Sequence, residues 1–236
     1  MGFGILTAFR QSKVYKKLEY LFWMKFSRNG GYSNAYYRGI EDVNNVYYNI
    51  FSQALCKEFH PASLVDIGCG AGGVSLAFIN AGCNKIQAFD YSSDAVSLTR
   101  SKGIPAQRLD ITKVSSIPAR GDLCICLEVA EHIPEVYASH LCQLLSEVAP
   151  VVALTAAPPG QGGHLHVNEQ PREYWIELMK SFSMTYSAEI VGRLRKSFGE
   201  GMLSDYSDNL LIFTRNDCKK INLGGGIEKK SKLLEL

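Results

Sequence analysis

The 236-residue sequence contains no C-x-x-C pair, no internal repeat and no uncharged apolar run of about 18 residues, and its net charge is only +2. Each absence removes a class of protein. A zinc ribbon needs closely paired cysteines. A membrane-spanning helix needs the apolar run. A solenoid or propeller needs a period. The small net charge conceals an uneven distribution. Residues 1–30 carry six Lys/Arg and one Glu, and residues 215–236 carry six Lys/Arg and three acids. Residues 31–214 hold 13 basic and 19 acidic side chains. So acidic a body argues against a nucleic-acid groove across the core. The basic ends suit solvent or an anionic surface, solvent being the simpler reading.

The seven cysteines, Cys56, Cys69, Cys83, Cys124, Cys126, Cys142 and Cys218, are odd in number, lack framework spacing and sit mostly in apolar segments. That pattern predicts reduced, buried thiols in a cytoplasmic protein. The N-terminus has no secretory features, because Phe3–Phe9 is short, follows nothing basic and precedes no small-residue cleavage site. Gly2 does not complete a myristoylation pattern, since Leu6 stands where Ser or Thr is required. At 46% hydrophobic and 20% charged residues, the composition is that of a folded globular chain. Its length fits one domain with extensions.

Residues 3–28 read as a basic, aromatic-rich helical segment, and residues 29–37 as a turn-rich break. Residues 41–59 read as helix, with Val43, Val46, Tyr47 and Ile50 on one stripe. Apolar strands then alternate with helices. The strands are Ser63–Gly68, Lys85–Tyr91, Ala106–Thr112, Asp122–Glu128 and Val151–Ala157, several without in/out alternation, as in a parallel sheet covered on both faces. The helices are Gly72–Ala81, Ser93–Lys102, Glu135–Val148 (Val136, Leu144, Leu145 and Val148 forming its stripe), and one opened by Pro171 with Trp175, Ile176, Met179 and Phe182 inward. Thr185–Val191 and Asn209–Arg215 read as two more strands without a full crossover helix between them, so the last is expected to run antiparallel. Alternation of this kind predicts an α/β, doubly wound, mostly parallel sheet of seven strands with helices on both faces. Residues 1–57 would form an N-terminal helical cap, 58–215 the main domain and 216–236 a basic flexible tail.

The most informative stretch is Leu64-Val65-Asp66-Ile67-Gly68-Cys69-Gly70-Ala71-Gly72-Gly73, at a strand end and opening a helix. Glycine lets the chain turn sharply and lets a ligand approach the backbone, and the helix start offers N–H groups. Gly68, Gly70 and Gly73 fit the dinucleotide fingerprint G-x-G-x-x-G; Asp66, Gly68, Gly70 and Gly72 fit D-x-G-x-G-x-G. A carboxylate at Asp66 would repel a pyrophosphate and suit the ammonium of an amino-acid moiety. About 60 residues also precede this strand, whereas a dinucleotide domain commonly begins with it.

Here the sequence resembles the class I S-adenosylmethionine-dependent methyltransferases, over about Ser63–Arg215. The resemblance implies a Rossmann-like fold, S-adenosylmethionine as cofactor, and contacts from Asp66, Gly68, Cys69 and Gly70 in the loop. It further implies that Asp90, ending the second strand, takes the ribose hydroxyls and that Tyr91 packs on the adenine. Asp110 would meet the adenine amino group with Ile111 alongside, and Glu128 would lie near the methionine part. In a parallel sheet these strand ends converge on one crevice.

The run Glu128-Val-Ala-Glu131-His132-Ile-Pro lacks the Asn/Asp-Pro-Pro-aromatic pattern associated with base amino-methylation and resembles small-molecule methyltransferases. The expected acceptor is a small-molecule or glycan hydroxyl, with nucleic acid disfavoured. A hydroxyl needs a base, and His132, His164 and His166 follow the fourth and fifth strands; His164 is the favoured one. His164 and His166, pointing the same way in an extended chain, could bind a metal with Glu169, but nothing further supports this and no metal is expected. Tyr36, Tyr37 and Arg38 could reach the cofactor or acceptor from the cap. Peripheral membrane contact through Leu18–Phe26 is a weaker reading. The alternatives are an NAD(P)-dependent oxidoreductase and a non-catalytic methyltransferase-like binding subunit.

Overall fold

The computed structural model describes Leu18, residues 34–199 and residues 202–216. Helix α1 (Asn34–Phe59) precedes β1 (Ser63–Ile67), α2 (Gly73–Asn80), β2 (Lys85–Asp90), α3 (Ser93–Ser101) and β3 (Ala106–Arg108). Then come β4 (Leu123–Cys126), two 3₁₀ turns (Ala130–His132 and Glu135–Tyr137), α4 (Ala138–Val148) and β5 (Val151–Leu154). The chain finishes with α5 (Arg172–Lys180), β6 (Met184–Tyr186), α6 (Ala188–Phe198), the short α7 (Ser204–Ser207) and β7 (Leu211–Arg215).

The seven strands form one sheet in the order β3-β2-β1-β4-β5-β7-β6. All neighbours are parallel except β7, which runs antiparallel to both β5 and β6. Strand alternation divides the core in two. Val65, Ile67, Cys124, Cys126, Val152 and Leu154 point to the face covered by α4 and α5. Leu64, Leu123, Ile125, Val151 and Ala153 point to the face covered by α1, α2, α3 and α6. Because both faces are covered, the strands carry apolar residues at nearly every position, which is why alternation is missing from the sequence. The described cysteines are free thiols, all buried except the intermediate Cys56. Burial pushes the Cys124 and Cys126 thiols well up, so they act as small core groups.

Several local expectations are corrected. The expected strand Thr185–Val191 is strand only as far as Tyr186, within β6 (Met184–Tyr186), and gives way to helix after it. Ser187 accepts a hydrogen bond from the Ile190 N–H at 3.3 Å and caps α6, whose Ile190, Val191, Leu194 and Phe198 are buried on one stripe. A crossover helix is therefore present, and β7 is antiparallel as expected. The third strand stops at Arg108, because Asp110 Oδ1 accepts from Thr112 N at 3.1 Å and from its hydroxyl at 2.6 Å, closing a turn. Helix α1 starts at Asn34, inside the expected break, and its buried residues are Tyr48, Phe51, Ser52, Ala54 and Leu55. Val46 is 67% exposed, and Val136 is 81% exposed in a 3₁₀ turn rather than on α4. The described part of the 1–57 segment is thus a layer of the core at its C-terminal half. The 3–28 helix, apart from Leu18, the Leu18–Phe26 membrane reading and residues 217–236 of the tail lie outside the described residues.

Candidate active site

β1 lies between β2 and β4, and their C-terminal ends share one edge of the sheet. The chain leaves β1 toward one face and β4 toward the other, which opens a crevice between them. A cleft of about 540 Å³ occupies it, within the size range of small-molecule sites.

The glycine loop forms its floor. The Gly68 and Cys69 N–H groups donate to Phe89 O at 2.7 and 3.0 Å, tying the loop to β2. Gly68 has φ +81°, and a Cβ there would stand 2.2 Å from Val129 Cγ2. Gly70 has φ +53°, yet the nearest atom to its added Cβ is Tyr37 Cδ1 at 3.7 Å. One glycine is therefore demanded by packing; the other keeps backbone open beneath an aromatic ring. Helix α3 braces the loop from behind, with the Thr99 hydroxyl donating to Gly70 O at 3.0 Å and Lys102 Nζ to Ala71 O at 2.9 Å. Nothing in the sequence marked Thr99 or Lys102 for this, because their spacing from the loop is set by the whole βαβ unit.

Acidic side chains ring the cleft. Asp66 is buried and accepts from the Ser75 hydroxyl at 2.6 Å. Burial lifts its carboxyl to about 7, against the Ser75 hydrogen bond. Asp90 accepts from the Gly70 N–H at 2.9 Å and the Ser92 N–H at 2.8 Å. Burial raises it too. Tyr91 lines the cleft, with the Arg108 guanidinium 5.1 Å from its ring centre. Asp110 pairs with Lys113 at 2.8 Å; burial pushes its carboxyl up, but Lys113 and Thr112 outweigh this and leave it lowered. The buried Ile111 lies beside it. Among the described residues lining the cleft, none is Lys or Arg.

At the β4 end, Glu128 has the left-handed φ of +53°, and its N–H donates to the Thr155 hydroxyl at 2.9 Å. Such backbone strain aims side chains at functional sites. Glu131 is completely buried. Burial raises both carboxyls, and Glu131 is raised further by the charge of Glu128.

The three histidines are placed differently from one another. Leu165 has φ +59°, so residues 164–166 are not extended, and His164 is exposed where His166 is buried. His164 is exposed at the cleft wall. His166 is buried, and its Nδ1 donates to Glu169 Oε1 at 3.2 Å. Glu169 also accepts from the Gly160 and Gly162 N–H groups, each at 3.0 Å. His132 Nδ1 donates to Leu165 O at 3.2 Å. Burial and then the neighbouring His166 lower its imidazole to about 4. Its ring centre is 4.9 Å from that of His166, edge to face. The expected grouping of His164, His166 and Glu169 is not the one assembled; the donor atoms of Glu131, His132 and His166 are. Glu131 was legible only as part of the E-x-x-E-H run. Outside the cleft, His140 Nε2 donates to Val114 O at 2.8 Å, a structural role.

Comparison with known proteins shows what this geometry is similar to. Residues 65–152 match the family model described as "Methyltransferase domain". A curated relative, the ribosomal protein L11 methyltransferase of Geotalea uraniireducens, is 29% identical over 82 residues, 33% of this chain. The match spans only 26% of that relative's length. Among solved structures, the O-methyltransferase from a trans-AT PKS multienzyme of Brevibacillus brevis, in complex with S-adenosyl-L-homocysteine, shares the fold at a TM-score of 0.54 and 16% identity. The alignment covers 80% of this chain and 82% of that one. Human N-acetylserotonin methyltransferase in complex with SAM has a TM-score of 0.55 at 15% identity, covering 89% of this chain and 58% of that one. The chain thus carries a methyltransferase-domain match over residues 65–152 and shares the Rossmann-like fold of solved methyltransferases.

Proposed function

We propose that the chain transfers a methyl group from S-adenosylmethionine to a hydroxyl of a small molecule, glycans included. The observation that carries this reading is the acid-lined cleft floored by open backbone at Gly70. When bound there, S-adenosylmethionine supplies an electrophilic methyl on a sulfonium. The Asp90 oxygens, fixed by two backbone N–H groups, retain lone pairs for ribose hydroxyls. Tyr91 and Ile111 flank the adenine, and Asp110 accepts from its amino group. Asp66 and Glu128 face the methionine end with the backbone of Gly68, Cys69 and Gly70. Tyr37, reaching the loop from α1, supports a role for residues 1–57 in covering the site. The small-molecule O-methyltransferase among the fold neighbours supports the acceptor class.

In the transfer the carbon–sulfur bond breaks as a carbon–oxygen bond forms, and the acceptor proton must leave. His164 is the residue we assign as base. It stands exposed in the cleft wall, whereas His132 and His166 hold loop geometry. A positioned base contributes about 10²–10⁴-fold. Calorimetry with S-adenosylhomocysteine, NAD and NADP tests the cofactor: binding of the first alone is expected, and binding of a nicotinamide dinucleotide instead would overturn the reading. With an accepted substrate, His164→Ala should lower turnover about 10²–10⁴-fold and leave cofactor affinity intact. Normal turnover in that variant would remove His164 from the mechanism.

A further inference from the structure

We propose that Glu131, His132 and His166 form a binding site for a first-row divalent cation, Zn²⁺ or a similar ion, at the β4–β5 end of the cleft. The donor atoms of the three side chains lie within 4.8 Å of one another. Zinc takes imidazole nitrogen and carboxylate oxygen at about 2.0–2.2 Å, which places ligands about 3.0–3.5 Å apart. Side-chain adjustments of about 1 Å therefore suffice. Backbone hydrogen bonds hold the trio together. The Val167 and Asn168 N–H groups donate to Glu131 O at 2.9 and 3.0 Å, clamping the loop after β5 onto the turn after β4.

Charge supplies the second argument. Glu131 is fully buried beside the Glu128 carboxyl, its Oε1 receives the Ala157 N–H at a long 3.4 Å, and its Oε2 has no donor among the described residues. Glu128 Oε1 is likewise buried without one. A fully buried Glu131 beside the half-buried Glu128, with no Lys or Arg among the described cleft-lining residues, is costly unless a cation or a shared proton compensates the pair. The flanking imidazoles favour the cation, since imidazole is a ligand for zinc and its neighbours in the series. Both rings also donate their Nδ1–H to oxygen, His132 to Leu165 O and His166 to Glu169. That outer support fixes ring orientation at metal sites.

Three protein ligands leave a position open for a further group, as at catalytic zinc sites. Resting on the methyl-transfer reading, an ion with that open position would bind the acceptor hydroxyl oxygen and make its proton more acidic before His164 receives it. Ion binding itself requires no such reading.

The experiment uses the full chain stripped with a chelator and dialysed. Zn²⁺ and Co²⁺ are titrated by calorimetry, and Co²⁺ by visible absorption, with Mg²⁺ as the hard-ion control. One equivalent of Zn²⁺ or Co²⁺ should bind, with a Co²⁺ absorption band that reports imidazole ligation. Glu131→Gln and His166→Ala should each lose at least about 10–100-fold in affinity, while His140→Ala should bind as the parent does. Glu131→Gln is isosteric, so its unligated fold should melt close to the parent. Each variant is checked for S-adenosylhomocysteine binding. A parent that binds no ion, or a Glu131→Gln/His166→Ala double variant that binds as well as the parent, overturns the site. Ion binding without S-adenosylhomocysteine binding would instead refute the methyl-transfer reading and leave the metal site standing.

Discussion

Gly68 and Gly70 are two residues apart and have nearly the same handedness, yet alanine should affect them differently. A non-glycine residue in the left-handed region costs about 1–2 kcal/mol. At Gly70 that is the whole expense, since the new Cβ would meet nothing nearer than 3.7 Å. Gly70→Ala should therefore lower the melting temperature by about 2–8 °C in a domain of this size. At Gly68 the Cβ would stand 2.2 Å from Val129 Cγ2. Overpacking adds about 1–3 kcal/mol, for a total of about 2–5 kcal/mol. Gly68→Ala should then lose about 4–20 °C. Ligand affinity should rank in the opposite order. The Gly70 Cβ would stand in the cleft and should weaken S-adenosylhomocysteine by at least about tenfold, or about 1.4 kcal/mol. Val129→Ala, combined with Gly68→Ala, should recover most of the overpacking share, giving a coupling of about 1–3 kcal/mol in a double-mutant cycle. Thermal melts and calorimetry on the four variants read out all of this. Unchanged affinity in Gly70→Ala would show that the loop is not the cradle, and zero coupling would show that the Val129 contact is not what makes Gly68 necessary.

Two further outcomes follow from the same structure. Burial lifts Asp66 from 3.8 to about 7, so between those pH values the folded chain keeps a proton that the unfolded chain releases; stability should fall as pH rises through this window. Asp66→Asn, whose amide oxygen can still accept from Ser75, should flatten the dependence of melting temperature between pH 4 and pH 7, and parallel curves for parent and variant would refute the assignment. Deleting residues 1–28 should leave the sheet folded and cofactor affinity nearly intact while acceptor turnover falls, as a fluorescence melt and single-turnover kinetics would show; full turnover in the truncated chain would remove those residues from the site.

The sheet was legible because its information is local and redundant. A strand covered on both faces must be apolar throughout, as Leu123–Cys126 and Val151–Leu154 are. The glycine loop was legible because left-handed backbone leaves a compositional mark. What escaped was set by tertiary packing. Ile190 and Val191 carry β-branched side chains, which favour strands in isolation, but Ser187 caps a helix whose stripe continues to Phe198. Val46 and Val136 fit helical spacing, yet the sheet meets other sides of the chain at those points. The histidines show the same limit. Alternation placed His164 and His166 together, and a single left-handed residue, Leu165, separated them and brought His166 to His132.

The absence of Lys and Arg among the described cleft-lining residues bears on what happens after the chemistry. On the proposed reading, methyl transfer would turn a sulfonium into a neutral thioether, so the spent cofactor would carry one positive charge fewer than the one that entered. Losing a unit charge about 4 Å from an ionised carboxylate forfeits about 4 kcal/mol at an effective dielectric of about 20, and less where burial holds the acid toward its neutral form, as at Asp66. An acid-ringed crevice thus discriminates between the two forms without touching them differently. On that reading the reaction itself would loosen the site's hold on its by-product, and raised ionic strength should narrow the gap between the two affinities where the carboxylates meet solvent.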